Sequence, residues 1–268
     1  MKKTYYFITG LPRSGSTLLS CLLNQNSRFH SEPASPVLSS IQAVEKAFVE
    51  NYYYRAYPKQ QNYYNILNTI IDSYYTDIDK PVVFDKNRGW INSLHNIIYS
   101  LQIPNPKIIC TVRNIDEILV SFINLIEKNK DLNKLNFIDY YLRSINVEPT
   151  IENRCKHILN GVIGRNYFSI KESIKEGSIH KNFIHIIKYD DLVNNTEKTM
   201  QDMYSFLEEP CYSHDYNNIT NIYKEKDVDV YGLEWMHHVK ESIVPSKSHL
   251  NLSILPNSIL NIVETLKF

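Results

Sequence analysis

Residues 10–17, Gly-Leu-Pro-Arg-Ser-Gly-Ser-Thr, constrain the fold more than any other segment of the chain. A β-rich run, residues 4–9, precedes them, and an apolar helical pattern, residues 17–23, follows. A loop between a strand and a helix directs the free N–H groups of the helix start toward a ligand, and those groups favour an anion. Only seven glycines occur in 268 residues, and Gly10 and Gly15 both lie in this loop. The segment therefore predicts an anion-binding loop that opens an α/β domain.

The glycine spacing matches the phosphate-binding loop of nucleoside triphosphatases, G-x-x-x-x-G-K-[ST], in which the lysine reaches the β- and γ-phosphates. Ser16 stands here in place of that lysine, whereas Thr17 keeps the closing hydroxyl and Arg13 supplies the one cation of the loop. The sequence thus keeps a site for one phosphate and lacks the group that holds a γ-phosphate.

Charge and cysteine content narrow the class of protein. Lysine plus arginine and aspartate plus glutamate each number 29, so the net charge is formally zero, which excludes a general nucleic-acid-binding surface. No stretch reaches membrane-spanning length. The four cysteines are far apart without a C-x-x-C pair, which predicts reduced thiols of a cytoplasmic protein. We expect residues 1–268 to form a single domain. The sequence does not indicate its oligomeric state.

Apolar periodicity predicts an α/β fold, a doubly wound parallel sheet flanked by helices, with ligands at the carboxyl ends of the strands. The strongest strand signal is the apolar run 107–112, typical of a strand covered on both faces. The other predicted strands are 4–9, 81–85 and 182–188, and the predicted helices are 17–23, 37–50, 91–101, 114–128, 137–145, 152–175, 191–207 and 258–266. Residues 24–36 are predicted to be a polar connector. The tyrosine-dense stretch 51–58 suits a lid, an acceptor-binding loop or simple surface packing.

Arg113 follows the strongest strand directly and precedes a helix that Asn114 starts, with two acidic residues in its first turn. Ser121 lies about two helical turns above Asn114 and therefore on the same helix face. An arginine and a hydroxyl placed in this way could hold one phosphate. A surface arginine and a helix-border serine would explain the pair equally well.

Taken together, these motifs resemble those of sulfotransferases that use 3′-phosphoadenosine 5′-phosphosulfate (PAPS) and release 3′-phosphoadenosine 5′-phosphate (PAP). The loop resembles the 5′-phosphosulfate loop, and Arg113 with Ser121 resembles the 3′-phosphate site. Tyr189, within Lys-Tyr-Asp-Asp-Leu, is similar to a tyrosine that contacts adenine, and Lys86 is similar to a strand-end lysine near the transferred group. The resemblance covers roughly residues 4–209 and implies a fold like that of P-loop nucleoside triphosphatases.

The resemblance implies a set of cofactor-binding residues and no metal. These residues are Pro12, Arg13, Ser14, Gly15, Ser16, Thr17, Arg113, Ser121 and Tyr189. The C-terminal Arg-Lys-Gly motif of the cytosolic enzymes is missing, and Lys247 is only a weak substitute. The acceptor is expected to carry a hydroxyl group, and its identity stays open.

The catalytic residues implied by the resemblance are Glu32, Lys86 and Arg13. Cytosolic small-molecule enzymes place a histidine base two residues after the lysine, where this chain has Arg88. Glu32 stands about where tyrosylprotein sulfotransferases have a glutamate base, so the pattern is closer to theirs. His30 and His95 are reserve candidates for the base.

Two other functions remain as alternatives. A P-loop kinase for a small metabolite would need the missing loop lysine and a strand-end aspartate for magnesium, such as Asp85. A non-catalytic nucleotide-binding protein would have no use for Glu32 and Lys86. The pair His237-His238 is argued against as a metal site, because helical neighbours diverge by about 100° and no Cys or His partner follows.

Overall fold

The computed structural model describes residues 2–244 and 251–267, and within them one parallel sheet organises the fold. Its strands are β1 (Thr4–Gly10), β2 (Phe29–Ser31), β3 (Val82–Lys86), β4 (Ile108–Val112) and β5 (Ile184–Lys188). Their order across the sheet is β2-β3-β1-β4-β5, and every pairing is parallel. The predicted doubly wound α/β fold is confirmed.

Helices connect the strands and cover both faces of the sheet. They are α1 (Ser16–Leu23), α2 (Val37–Glu50), α3 (Tyr52–Ala56), α4 (Gln60–Tyr74), α5 (Ile115–Lys128), α6 (Phe137–Ser144), α7 (Ile151–Ile158), α8 (Gly164–Ile174), α9 (Tyr189–Asn194), α10 (Thr196–Leu207), α11 (Asp227–Tyr231) and α12 (Asn257–Glu264). No helix of the described residues combines the length and apolar character needed to cross a bilayer.

The alternation of side chains along β1 divides the core into two layers. Phe7 faces α2, α4 and α5 and packs edge-on against Trp90 with ring centroids 4.8 Å apart. Tyr6 and Ile8 point to the opposite face, where α1 and α10 cover them. Each fully buried aromatic or aliphatic side chain of this kind contributes about 1.5–3 kcal/mol to folding. A central strand buried on both faces explains why β1 and β4 read as continuous apolar runs.

Four segments in particular differ from the sequence prediction. The expected connector 24–36 contains β2, whose three residues are too few to show alternation. The expected helix 91–101 is a 3₁₀ turn, Arg88–Asn92, followed by a π turn, Asn96–Ser100. The tight first turn forms because the Asn87 side chain accepts a hydrogen bond from the Gly89 N–H.

The unpredicted helix α4 has a polar, tyrosine-rich sequence and buries only Leu67 and Ile71, so its apolar stripe is too narrow to read. The expected helix 152–175 is interrupted by a π turn at Leu159–Ile163.

The cysteines are unpaired: Cys21, Cys110 and Cys155 are buried and Cys211 is exposed.

Candidate active site

Four strands bring seven of the twelve predicted site residues to one cavity of about 460 Å³, whereas Ser121, within α5, is not part of its described lining. The loop after β1 contributes Gly15, Ser16 and Thr17, and β3 ends at Lys86. Arg113 directly follows β4, and Tyr189 directly follows β5. The carboxyl ends of parallel strands lie at one edge of the sheet, which is where ligands of such folds bind.

Backbone geometry requires both glycines of the loop. Gly10 has φ of +132°, and a Cβ atom there would lie 2.1 Å from the Thr111 carbonyl oxygen of β4. Gly15 has φ of +89°, and its Cβ would lie 3.0 Å from the Tyr189 ring. A side chain at Gly10 would separate β1 from β4, and one at Gly15 would displace Tyr189. The loop can approach these neighbours only with glycine.

The Ser14 hydroxyl holds the loop to itself and to β4. The Ser14 hydroxyl donates to the Leu11 carbonyl at 2.5 Å and lies 2.6 Å from Thr111 Oγ1. Both Ser14 and Pro12 are buried and stand apart from the cavity lining, so their side chains shape the loop. Ser16 and Thr17, at the start of α1, are the loop hydroxyl residues that line the cavity.

Arg13, Ser121 and Arg113 come together although about a hundred residues separate the loop from the other two. Arg13 Nε donates to Ser121 Oγ at 3.1 Å, and an Arg113 NH1 group donates to the Arg13 carbonyl at 3.1 Å. Arg113 also pairs with Glu117 at 2.9 Å and stacks on the Tyr189 ring at 4.0 Å from its centroid. Burial lowers the pKa of Arg13, and the neighbouring Arg113 charge adds to this effect. Two facing guanidinium groups of like charge make a bound anion favourable here.

Lys86 and Arg88 form the cationic wall next to the loop. Lys86 Nζ lies 3.5 Å from Thr17 Oγ1. Burial lowers the pKa of Lys86 to about 8, while the Glu225 carboxylate opposes that shift. Burial also lowers the pKa of Arg88, although the cavity keeps its side chain in contact with water. A desolvated ammonium beside the loop is suited to an anionic group bound there.

Asp85, the residue before Lys86, is fully buried and structural. Its carboxylate accepts hydrogen bonds from Trp90 Nε1 at 2.7 Å, Ser35 Oγ at 2.5 Å and Tyr75 Oη at 3.0 Å. These three donors leave no carboxylate oxygen directed at the cavity. The magnesium ligand that a kinase would require from Asp85 is therefore missing.

Glu32 lies beside the cavity rather than in its wall among the described residues: Pro33 and Ala34 line it instead. The Glu32 carboxylate contacts His30 Nε2 at 3.1 Å and accepts from Tyr74 Oη at 3.2 Å. The role of Glu32 as base stays a prediction. His95 is exposed and stands outside the described cavity lining, and Lys247 lies outside the described residues.

His237 lines the cavity and meets two carboxylates that no sequence pattern connects with it. Its Nδ1 lies 2.6 Å from Asp227 Oδ1 and 3.1 Å from Glu225 Oε2, and its backbone N–H donates to Asp227 Oδ2 at 3.0 Å. Burial raises the pKa of Glu225 to about 7, and Lys86 partly offsets this effect. His238 also lines the cavity, and its ring packs edge-on against Trp235.

The three side chains Glu225, Asp227 and His237 have ligand atoms within 4.8 Å of one another, a grouping that could in principle hold a metal ion. Cys and His spacing does not reveal this group, because the partners of His237 are carboxylates ten and twelve residues upstream. The only sequence signal is the alternation Glu225-x-Asp227 before an irregular segment.

Comparisons with known proteins agree with this geometry. The sulfotransferase domain from the Synechococcus PCC 7002 olefin synthase is 17% identical, with a TM-score of 0.54 over 100% of this chain and 96% of that one. The sulfotransferase domain from the curacin biosynthetic pathway is 15% identical, with a TM-score of 0.51 over 100% and 92%. At such low identity the likeness shows a shared fold. Among curated proteins, no sequence matches.

A sequence profile described as "Sulfotransferase family" matches residues 6–214, which include the loop, Lys86, Arg113 and Tyr189. The match extends over well more than half of the chain and ends just after α10. The chain therefore belongs to the sulfotransferase family and is a transferase of sulfuryl groups.

Proposed function

We propose that this sulfotransferase takes the sulfuryl group from PAPS and transfers it to an acceptor hydroxyl by in-line displacement. The observation that carries the proposal is the meeting of Arg13, Arg113, Ser121 and Tyr189 beside a loop that lacks a γ-phosphate lysine. A donor with phosphate groups at both the 5′ and 3′ positions needs two separate anion sites, and these residues offer two.

The two anion sites have distinct residues. The 5′ site comprises the start of α1 with Gly15, Ser16 and Thr17, reinforced by Lys86. The 3′ site comprises Arg113 and Ser121, with Arg13 between the two sites. Pro12 and Ser14 act through the shape of the loop, and Tyr189 is placed to contact the base. A cavity of about 460 Å³ falls within the usual range for a site of this kind.

Bound PAPS supplies the activated sulfuryl group, and the protein supplies position and charge. Lys86 and Arg13 stabilise the negative charge that develops on the leaving phosphate oxygen. A base removes the acceptor proton, a contribution of about 10²- to 10⁴-fold in rate. Glu32 is the base that family resemblance favours, and its carboxylate next to Pro33 lies close to the cavity wall.

Calorimetric titration with PAP, beside ATP with Mg²⁺, tests the donor assignment. PAP is expected to bind without metal and more tightly than ATP, because a second phosphate site exists and a γ-phosphate lysine does not. Arg143→Ala, on the exposed face of α6, serves as a matched control for the loss of an arginine. Tighter binding of ATP with Mg²⁺ than of PAP, with ATP turnover, would establish the kinase alternative.

A non-catalytic nucleotide-binding protein remains the other alternative, and it predicts PAP binding without consumption of PAPS. The observation against it is the match of residues 6–214 to the sulfotransferase family profile. The partner of the reaction is an acceptor with a hydroxyl group. Cytoplasmic location, which the unpaired cysteines favour, stays a prediction.

A further inference from the structure

We propose that His237, held by Asp227, takes the proton of the acceptor hydroxyl in place of Glu32, because His237 lines the described cavity and Glu32 does not. The inference rests on the proposed function, since it assigns a role within sulfuryl transfer. It concerns residues beyond position 214, where the match to the family profile ends.

Asp227 fixes both the position and the tautomer of the His237 ring. One carboxylate oxygen accepts from the His237 backbone N–H at 3.0 Å, and the other lies 2.6 Å from Nδ1. A carboxylate at this distance holds the proton on Nδ1, so the lone pair is on Nε2. Among the described residues, no hydrogen-bond partner occupies Nε2. The imidazole is thereby prepared to accept a proton on that atom.

His237 lines the cavity, whereas the two carboxylates that contact it do not. His237 shares the cavity wall with Lys86, Arg88 and Tyr231, and Glu225 and Asp227 line a second, shallower depression. Glu225 Oε2 is buried and accepts no hydrogen bond within the described residues. Its position 3.1 Å from Nδ1 places a second carboxylate where positive charge forms when His237 is protonated. The arrangement stabilises the imidazolium that the reaction produces.

The phosphate-binding loop itself positions this histidine. An Arg13 NH1 group donates to the carbonyl of Met236, the residue before His237. The same arginine contacts Ser121 through Nε. The loop that is proposed to bind the donor therefore also holds the segment that carries the base, which fixes the distance between donor and base.

The surroundings of Glu225, Asp227 and His237 suit a general base better than a bound metal ion. A cation bound to Glu225, Asp227 and His237 would have to displace the proton between Nδ1 and Asp227. It would also lie close to Lys86 and Arg88, whose charges act on the same histidine. Cationic neighbours oppose a third cation and suit an anionic donor.

The proposed step is a single displacement with one proton transfer. The acceptor O–H bond breaks and its proton moves to His237 Nε2, while the acceptor oxygen forms a bond to sulfur. The bond between sulfur and the bridging phosphate oxygen breaks, and PAP leaves with that electron pair. Lys86, near Thr17, faces the leaving oxygen and stabilises the negative charge that develops on it. His237 takes up the acceptor proton on the other side of the sulfur atom.

Consumption of PAPS by the full chain tests the assignment without a known acceptor. Release of PAP is measured in single turnover, in buffer and with a panel of simple phenols and primary alcohols. We expect His237→Gln to lose at least about 100-fold in rate. Asp227→Asn should also lower the rate, by a smaller factor. Both variants should bind PAP within about threefold of the parent, because neither residue belongs to the phosphate sites. His157→Gln, at a histidine that stacks on Tyr141 and does not belong to the described cavity lining, is the matched control and should stay within about threefold in rate.

Long-range ¹H–¹⁵N spectra supply a readout that does not depend on activity. The His237 signals, assigned from their loss in His237→Gln, should show a neutral ring with its proton on Nδ1, and Asp227→Asn should abolish that preference. A ring protonated on Nε2, or PAP release by His237→Gln at the parent rate, would overturn the assignment. If PAP release by the parent protein is too slow to detect, the tautomer of the His237 ring tests the assignment.

Two further outcomes distinguish a base at His237 from a metal site and from failure of the proposed function. If the parent binds Zn²⁺ tightly and His237→Gln does not, the group is a metal site and not a base. Failure of PAP to bind the parent would overturn the proposed function, while the tautomer measurement would still decide how Asp227 holds His237.

Discussion

The strand-end residues and the C-terminal arm, residues 215–244, build two parts of the wall of the same cavity in different ways. Apart from Ser121, which lies within α5, each cofactor-side residue sits within the phosphate loop or within one residue of a strand end, so the sheet fixes its place. The C-terminal arm has little regular structure beyond the five-residue helix α11. It is held instead by isolated contacts, such as the hydrogen bonds from Ile219 N–H to the Glu241 carbonyl and from Arg13 to the Met236 carbonyl. Donor binding is thus built into the sheet, whereas the base proposed in the arm depends on tertiary contacts.

Substitution of one loop glycine should have the largest effect of all. Gly10→Ala would place a Cβ 2.1 Å from the Thr111 carbonyl at a φ of +132°, so β1 and β4 would have to separate. We expect a loss of more than about 4 kcal/mol in the free energy of unfolding, measured by urea denaturation.

Gly177→Ala is the matched control, because its φ is +81° and a Cβ there meets nothing within 4 Å. It should cost only about 1–2 kcal/mol, from the backbone conformation alone. Equal losses in the two variants would mean that close approach to β4 does not constrain the loop.

Substitution of a glycine in the C-terminal arm should lower the rate without weakening the binding of PAP. Gly232→Ala would bring a Cβ to 2.2 Å from the Leu135 carbonyl, immediately after α11. Displacement of α11 moves Asp227 and His237, so PAPS consumption should fall at least about 10-fold. PAP binding, measured by calorimetry, should stay within about threefold. Loss of PAP affinity as large as the loss of rate would show that the two sides are not separable.

Arg13 links the two regions, so its removal should affect both to a moderate degree. Arg13→Ala loses the contacts to Ser121 and to the Met236 carbonyl together with a charge beside the phosphates. We expect PAP to bind about 1.5–3 kcal/mol more weakly and amide hydrogen exchange to increase in residues 235–239. The control Arg143→Ala should change neither quantity. Unchanged exchange in the arm would argue against the link.

The smallest expected effect is a pH dependence that arises from Lys86 at the end of β3. The pKa of Lys86 is lowered to about 8 by burial, with Glu225 opposing and Arg88 reinforcing the shift. Its charge is therefore present below about pH 8 and is lost as pH rises through that value. The rate constant kcat/KM for PAPS should fall above pH 8. Lys86→Arg should keep its charge and remove that decline, whereas a decline that persists would have another source.

The cofactor side could be predicted from the sequence because its residues are tied to local patterns. A strand followed by a glycine loop, or by Arg113 and a helix, can be read from neighbouring residues, and parallel strands then bring these ends together. Lys86 and Tyr189 were placed correctly at strand ends for the same reason. The family profile confirms the sulfotransferase interpretation and covers this same part of the chain.

The Asp227–His237 contact could not be read in this way. No periodicity connects Asp227, at the start of a five-residue helix, with His237 ten residues later, and no Cys or His at ligand spacing draws attention to the pair His237-His238. The short strand β2 and the narrow apolar stripe of α4 were missed for a similar reason, since too few residues of each face the core.

The proposed second phosphate site at the strand ends is tested most directly by calorimetric titration. PAP and adenosine 5′-phosphate are each titrated into the parent protein and into Arg113→Ala. Arg113 contacts the Arg13 carbonyl and stacks on Tyr189, so its removal opens the 3′ site, while the Ser14 hydroxyl still holds the loop through Leu11 and Thr111. We predict that Arg113→Ala weakens PAP by roughly 2–4 kcal/mol and barely changes adenosine 5′-phosphate. Equal losses for both nucleotides would contradict the assignment of Arg113 to a 3′-phosphate.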